Sequence, residues 1–460
     1  MTTPSAFSVS GQRVVVVGAA RSGVAAAHLL IARGASVVLT DTRETIEPAD
    51  ELRRAGVVLE LGGHRAETLN SADLIVLSPG VSPRQADVAA ARAAGVPVIG
   101  ELELAARWLA GRVVAITGTK GKSTTTTLIG RMLTEGGLKA AVGGNIGVPL
   151  SAQVAASAPD VIHVVEASSF QLETTEQFRP WIAVLLNLSA DHLDRHESIE
   201  EYAAAKGRIF ANQQADDFAV VNVDDAPSLA LARTRARLVP LSPSAAIADG
   251  IVVTAEVIAH RRAGVDTPLV PVSAVRLLGR HLLTDVAAAA AVAEIAGVDA
   301  EAMVRAVEGF SGLEHALEPV SSIQGVGFVN DSKATNIESA ARAIESIDQG
   351  LVVILGGRFK GGDFGALRAP LVARQASVVA IGEAAPLVTA ALATSVPVRD
   401  AASMDDAVRL GFAMALPGGT VLLAPACASF DMFADYAERG RRFKDAVARL
   451  AFEVRSVREQ

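Results

Sequence analysis

The chain has 460 residues, half of them hydrophobic, which exceeds one ordinary domain and makes two or three the expectation. Its 42 Lys and Arg against 50 Asp and Glu leave a net charge of −8, which argues against a nucleic-acid surface but not against small anions met by local lysines and amides. One cysteine, Cys427, excludes an internal disulfide framework and fits a reducing cytoplasm; charges interrupt every long apolar stretch, so membrane insertion is not expected, and MTTPSAFSVSGQR lacks the marks of a signal peptide.

Residues 13–41 read as a βαβ unit: the strand VVVVG, the turn Gly18-Ala19-Ala20-Arg21-Ser22-Gly23, the helix AAAHLLIARG and the strand SVVLTD. A G-x-A-x-x-G turn closed by Asp41 is the pattern of a dinucleotide fold, with the acid on a ribose. Ala20 replaces the glycine that lets backbone approach a pyrophosphate, which weakens an NAD reading. LIVLSPG (74–80) and VPVIG (96–100) extend the unit to four or five strands, and Ser78-Pro79-Gly80 falls at a strand C-terminal end, where ligands are expected.

A linker or helix at 101–111 leads to RVVAITGTKGKSTTTT. Its apolar strand breaks at Thr117-Gly118, passes Thr119, Lys120 and Gly121, and enters a helix through Lys122, Ser123 and Thr124. Glycines let backbone N–H groups close on phosphate oxygens, and the helix N-terminus adds partial positive charge. Lys122 would meet β- and γ-phosphates and Ser123 a Mg²⁺ ion. Ile116 stands where the general P-loop has its first glycine, leaving the shorter G-x-x-G-K-S.

VIHVVEASS then reads as a buried strand ending in Glu166, a second Mg²⁺ ligand if Ser168 or Ser169 caps the next helix. The strand at 182–186 delivers Asn187, Asp191, His192, Asp194 and His196 into one loop, an oxygen-rich set suited to Mg²⁺ or Mn²⁺ rather than zinc. YAAAKGRIF (202–210) reads as helical, and Lys206 by itself reads as a lysine reaching solvent. The stretch 216–275 is β-rich and is followed by a helix over 277–298. A boundary at 310–313 opens a last strand–loop–helix unit. Its loops carry Asp331, Ser332, Lys333, Thr335 and Asn336, then Arg358 to Asp363, then Cys427 to Asp431. With no histidine nearby, Cys427 reads as packing.

GTKGKST, VEASSFQLETT, LNLSADHLDRH, YAAAKGRIF, NDSKATN, GGRFKGGDF and PACASFDMF occur in that order, and over nearly the whole chain they resemble the Mur ligases. NDSKATN with PACASFD resembles the members that add D-glutamate. The resemblance implies an α/β protein of three domains: a Rossmann-like UDP-sugar-binding sheet in 1–104, a central P-loop-type ATPase sheet in 105–312 and a C-terminal Rossmann-like amino-acid-binding sheet in 313–460. It implies a cytoplasmic, monomeric ligase of peptidoglycan synthesis. ATP would activate UDP-MurNAc-L-alanine as an acyl phosphate, which D-glutamate attacks.

Carried over by residue, the resemblance gives Lys122 to the phosphates within the Gly118–Thr124 loop, and Ser123 and Glu166 to one Mg²⁺. It gives His192 and a carbamylated Lys206 to a second Mg²⁺, and Asn145 to substrate or phosphate. Asp41, Thr42, Arg43 and Gly80 would hold the UDP end, Asp331 the ATP ribose and Lys333 its phosphates. Thr335, Lys360, Ser429 and the backbone near Tyr436 would take the D-glutamate carboxylates. The chain departs from the family at His281-Leu282-Leu283-Thr284-Asp285, where His-Asn-x-x-Asn is usual, and at His315-Ala316-Leu317-Glu318, where an arginine follows the histidine. Lys120 stands where asparagine is common. Competing readings are a folylpolyglutamate-type ligase, a regulatory nucleotide binder and a Rossmann dehydrogenase; the D-glutamate-side motif and the UDP-type first domain count against the first.

Overall fold

Uninterrupted runs of Val, Ile and Leu suit strands covered on both faces, and such runs form three largely parallel sheets. The computed structural model describes residues 7–191, 195–276, 282–310, 312–347 and 350–458. By packing, these divide into two units: the chain to Val275 with Leu283–Gly309 carries the first two sheets, and the chain from Phe310 carries the third.

The first sheet has the order Val58–Leu61, Ser36–Asp41, Arg13–Val17, Leu74–Leu77, Val98–Gly100, all parallel. Alternation of side chains splits its centre between two cores. Val14, Val16 and Val76 pack with Ala26, Ala27 and Leu30 of the helix Arg21–Ala32, whereas Val15, Val17 and Ile75 pack with Val88 and Ala91 of the helix Ala86–Ala93. The helix Glu101–Ala106 joins this sheet to the next, placing Leu104 in the first core and Leu102 and Ala105 in the second.

The second sheet has nine strands. Six run in the order Arg237–Ser242, Phe218–Asn222, Ile182–Leu185, Arg112–Thr117, Val161–Glu166, Lys139–Gly144, with every pairing parallel. Gly250–Val253 continues the sheet in parallel, and Val257–Arg262 and Val265–Pro271 add an antiparallel edge, which accounts for the β-rich stretch. The helix Leu282–Ile295 is buried from Asp285 through Ala293, because its run of alanines lets neighbours close on every side. The expected start of that helix at 277 lies outside the described residues.

The third sheet has the order Glu318–Ile323, Val326–Asn330, Thr420–Leu423, Leu351–Gly356, Ser377–Ile381, Val398–Ala401, parallel except for its first pair. That pair is a hairpin turned at Gln324 and Gly325, both with positive φ (50° and 83°), the hand that matches strand twist. The long helix Tyr436–Arg458 packs Phe443, Val447 and Leu450 under this sheet. Among the described residues no helix is long and apolar enough to cross a membrane.

Candidate active site

The strand Arg112–Thr117 is buried after its first residue and delivers a loop whose shape depends on glycine. Gly121 has φ +82° and caps the helix Lys122–Glu135; a Cβ there would come within 2.2 Å of Asp285 Oδ1, so a side chain is refused by conformation and by space. The loop is held from the adjoining strand exit: Thr119 N donates to Asn187 O at 3.0 Å, Lys120 N to Asn187 Oδ1 at 2.9 Å, and Asn187 Nδ2 returns to Lys120 O at 3.1 Å. Inside it, Lys122 Nζ donates to the carbonyls of Gly118 and Thr119, each at 2.9 Å. Thr124, one position beyond Ser123, is half-buried on the first turn of the helix.

Glu166 ends its strand 2% exposed and accepts from Ser123 Oγ at 2.6 Å and Asn145 Nδ2 at 2.7 Å. The following helix is capped by Ser168 in a reciprocal box with Gln171, so the Glu166 carboxylate is not spent on capping. Ser123 and Glu166 together offer hard oxygen donors beside this glycine loop and helix N-terminus. Mg²⁺ takes such a partial set, one or two carboxylates completed by substrate phosphates, and among the described residues no cluster of three His, Cys, Asp or Glu forms a closed cage.

Lys206, expected from its local sequence to reach solvent, is 1% exposed. Its Nζ donates to Gly118 O at 2.8 Å and lies 4.6 Å from the centre of the Tyr202 ring. Burial, reinforced by the charge of Lys122, pushes its pKa well below the ordinary lysine value, with Asp191 and Glu166 opposing. Lys122, Ser123, Asn145, Glu166 and Lys206 are therefore brought together around one loop.

The metal-capable loop resolves differently from its sequence. Asn187 spends both amide atoms on Lys120, and His196 is buried, with Nε2 3.0 Å from Ser169 Oγ and its ring against Phe170 and Tyr202. Asp191 lies 3.6 Å from Lys120 Nζ. His192 and Asp194 lie outside the described residues. Spacing alone could not say which side chains of the loop turn inward.

At the first sheet's ligand edge, Asp41 ends its strand and accepts from Ala19 N at 2.6 Å and from Arg43 N and Nε at 2.9 Å each. The Arg43 guanidinium holds the carboxyl well below the usual carboxylate range. Through these contacts Asp41 shapes the turn. Thr42, Arg43 and Gly80 are exposed beside it.

In the other unit the expected residues share the C-terminal edge of the third sheet. Asp331 follows one strand and accepts from Leu317 N at 3.3 Å, while Lys333, Thr335 and Lys360 line the next loops with Lys333 and Lys360 exposed. Ser429 is buried, and Tyr436 O accepts from Ser332 Oγ at 2.7 Å. Arg439 carries no signal in the sequence around it. Its buried guanidinium donates to Ser332 Oγ at 3.0 Å, Ser332 O at 2.9 Å and Cys427 O at 3.0 Å, tying two of these loops together; burial brings its pKa down to about 10. Burial pushes the Cys427 thiol up to about 12, as a packing role requires. Asp285 is buried against Gly121, and burial raises its pKa to about 7 against the opposing charge of Lys122.

The sequence matches three family descriptions in succession: Mur ligase MurD-like, N-terminal domain over residues 12–100, Mur ligase middle domain over 116–293, and Mur ligase, glutamate ligase domain over 317–427. It is 46% identical over 96% of its length to the UDP-N-acetylmuramoylalanine--D-glutamate ligase of Acidobacterium capsulatum, covering 97% of that protein. It is 43% identical over 97% of its length to the ligase of the same name from Koribacter versatilis, covering 99% of it. Among solved structures, UDP-N-acetylmuramate-alanine ligase MurC from Thermotoga maritima superposes with a TM-score of 0.60 at 18% identity, covering 95% of this chain and 99% of that one. At that identity the likeness speaks to fold alone.

Proposed function

The chain belongs to the Mur ligase family, and on that premise we propose that it is the ATP-dependent ligase that joins D-glutamate to UDP-N-acetylmuramoyl-L-alanine in the cytoplasmic assembly of peptidoglycan. The γ-phosphoryl group of ATP passes to the alanyl carboxylate, leaving ADP and an acyl phosphate. The amine of D-glutamate attacks that carbonyl, loses a proton, and phosphate leaves as the C–N bond is kept. Each step brings anions together, so the work of the site is neutralisation and positioning.

The observation that carries this reading is the convergence of Lys122, Ser123, Glu166, Asn145 and Lys206 on one loop. Lys122 exchanges its loop carbonyls for phosphate oxygens. Ser123 and Glu166 would hold Mg²⁺, which supplies charge neutralisation at the phosphates. Lys206, buried and biased toward its neutral amine, has the nucleophilic form that adds CO₂ and releases a proton, giving a carbamate. Its oxygens, with His192, would hold a second Mg²⁺. Asn145 steers Glu166 and the substrate. Asp41, Thr42, Arg43 and Gly80 take the UDP end, Asp331 the ATP ribose and Lys333 its phosphates. Thr335, Lys360, Ser429 and the backbone at Tyr436 take the D-glutamate carboxylates, and the enzyme acts as a monomer on these small molecules.

Phosphate release from ATP tests the reading. Release that requires both UDP-MurNAc-L-alanine and D-glutamate supports it; nucleotide binding with no turnover in the presence of both would favour a regulatory protein instead.

A further inference from the structure

We infer that Arg195 is a positioning residue for the sugar-nucleotide substrate, fixing the first sheet's ligand turn in register with the central sheet. Its guanidinium donates from Nη1 to Gly80 O at 3.3 Å and from Nη2 to Val81 O at 3.0 Å. The same group pairs with the Glu173 carboxylate and stacks 4.9 Å from the Phe170 ring centre. Arg195 and Glu173 side chains are only 13% and 10% exposed, so this is a partly dry contact in which losing one partner strands the other.

The two carbonyls belong to a single reverse turn, closed by Val81 N donating to Ser78 O at 2.9 Å directly after the strand Leu74–Leu77. That turn packs on the glycine turn of the first strand: a Cβ on Gly18 would stand 2.8 Å from Val81 Cγ2 and 3.0 Å from Ser78 Cβ. Arg195 therefore grips the junction of both first-sheet loops. The grip is reinforced from the other side, where Arg84 donates to Arg195 O at 2.8 Å and pairs with Glu201. Glu201 accepts in turn from Glu197 N at 2.7 Å and lies in the first turn of the helix Ile199–Gly207, the helix that carries Lys206. One chain of polar contacts thus runs from the turn at Gly80 to the helix of Lys206. A planar fork fits two adjacent carbonyls and a carboxylate; an ammonium does not.

The inference rests on the ligase reading, and kinetics on the full chain separates the two. Wild-type turnover with both substrates is required first; its absence speaks against the ligase reading alone. Arg195→Ala is expected to raise the Michaelis constant for UDP-MurNAc-L-alanine about tenfold, with those for ATP and D-glutamate changing less than about twofold, because the carbonyls it releases belong to the sugar-nucleotide turn while the backbone contact of Arg195 O with Arg84, on the path to the Lys206 helix, is kept. Arg195→Lys keeps charge near Glu173 and, if the alanine variant does not fold, provides the same reading; it is expected to show the same selective rise, reduced by the ion pair it retains. Calorimetric titration with UDP-MurNAc-L-alanine should weaken in parallel. Equal changes in all three constants, or a loss of melting temperature with the constants unchanged, overturns the proposal in favour of a structural joint.

Discussion

The Lys206 side chain donates to the carbonyl of Gly118 across 2.8 Å, although 88 positions separate the two residues. A lysine helix residue thereby touches the first glycine of the phosphate loop with its charge disfavoured by burial. Replacing it with alanine should cut turnover by roughly a hundredfold, the scale for removing one preorganised charge-stabilising group. Thermal stability should change little beside that. Activity of the wild type in CO₂-depleted buffer should rise on adding bicarbonate; unchanged activity in Lys206→Ala would remove its metal role.

Glu166→Gln keeps the shape of the side chain and its contacts near Ser123 and Asn145 while removing the negative charge. The variant should fold and need more Mg²⁺, with the half-saturating concentration rising about tenfold or more as one charged oxygen ligand is lost. Titration of activity against Mg²⁺ at saturating ATP checks this. A wild-type Mg²⁺ curve would place the metal elsewhere.

Lys360 is exposed on the loop after the strand Leu351–Gly356. Lys360→Ala should raise the Michaelis constant for D-glutamate more than that for ATP, by about tenfold for one lost charge-assisted hydrogen bond. Equal effects on both substrates count against its place at the amino-acid carboxylates.

Asp285 gives a pH signature. Its ordinary value is 3.8 and burial raises it to about 7, so the folded chain binds more protons than the unfolded one between these values. That contribution to stability is fully present below about 3.8 and is lost as pH rises through about 7. Asp285→Asn has no such proton to lose. Its stability relative to wild type should therefore increase between about pH 5 and about pH 8, by an amount on the order of a few kcal/mol at most. Denaturant titrations of both proteins at the two pH values measure it, and parallel pH profiles would contradict it.

The sheets were legible because parallel strands covered on both faces leave apolar runs in sequence, as in VVVV, LIVL and LVVILG. The loop between the strand Arg112–Thr117 and its helix, and the place of Glu166 at a strand end, were legible because strand ends fix where the chain turns polar. What sequence hid was orientation and distance. Asn187 and His196 are metal-capable residues that fold onto the backbone and into the core. Asp285, Arg195 and Arg439 act through contacts with residues far along the chain; Arg195 and Asp285 lie in stretches whose patterns are legible, but their partners are not. The βαβ pattern places Asp41 at its strand end; the approach of Arg43 and Ala19 to its carboxylate is a matter of distance that the pattern does not carry.

Lys122 Nζ donates to two carbonyls of its own loop at 2.9 Å each. Any anion that enters must outbid those carbonyls, so binding is an exchange of hydrogen bonds whose net gain is small for a lone phosphate. A triphosphate would meet the backbone N–H groups of the loop and the helix N-terminus as well, spreading the same exchange over more contacts.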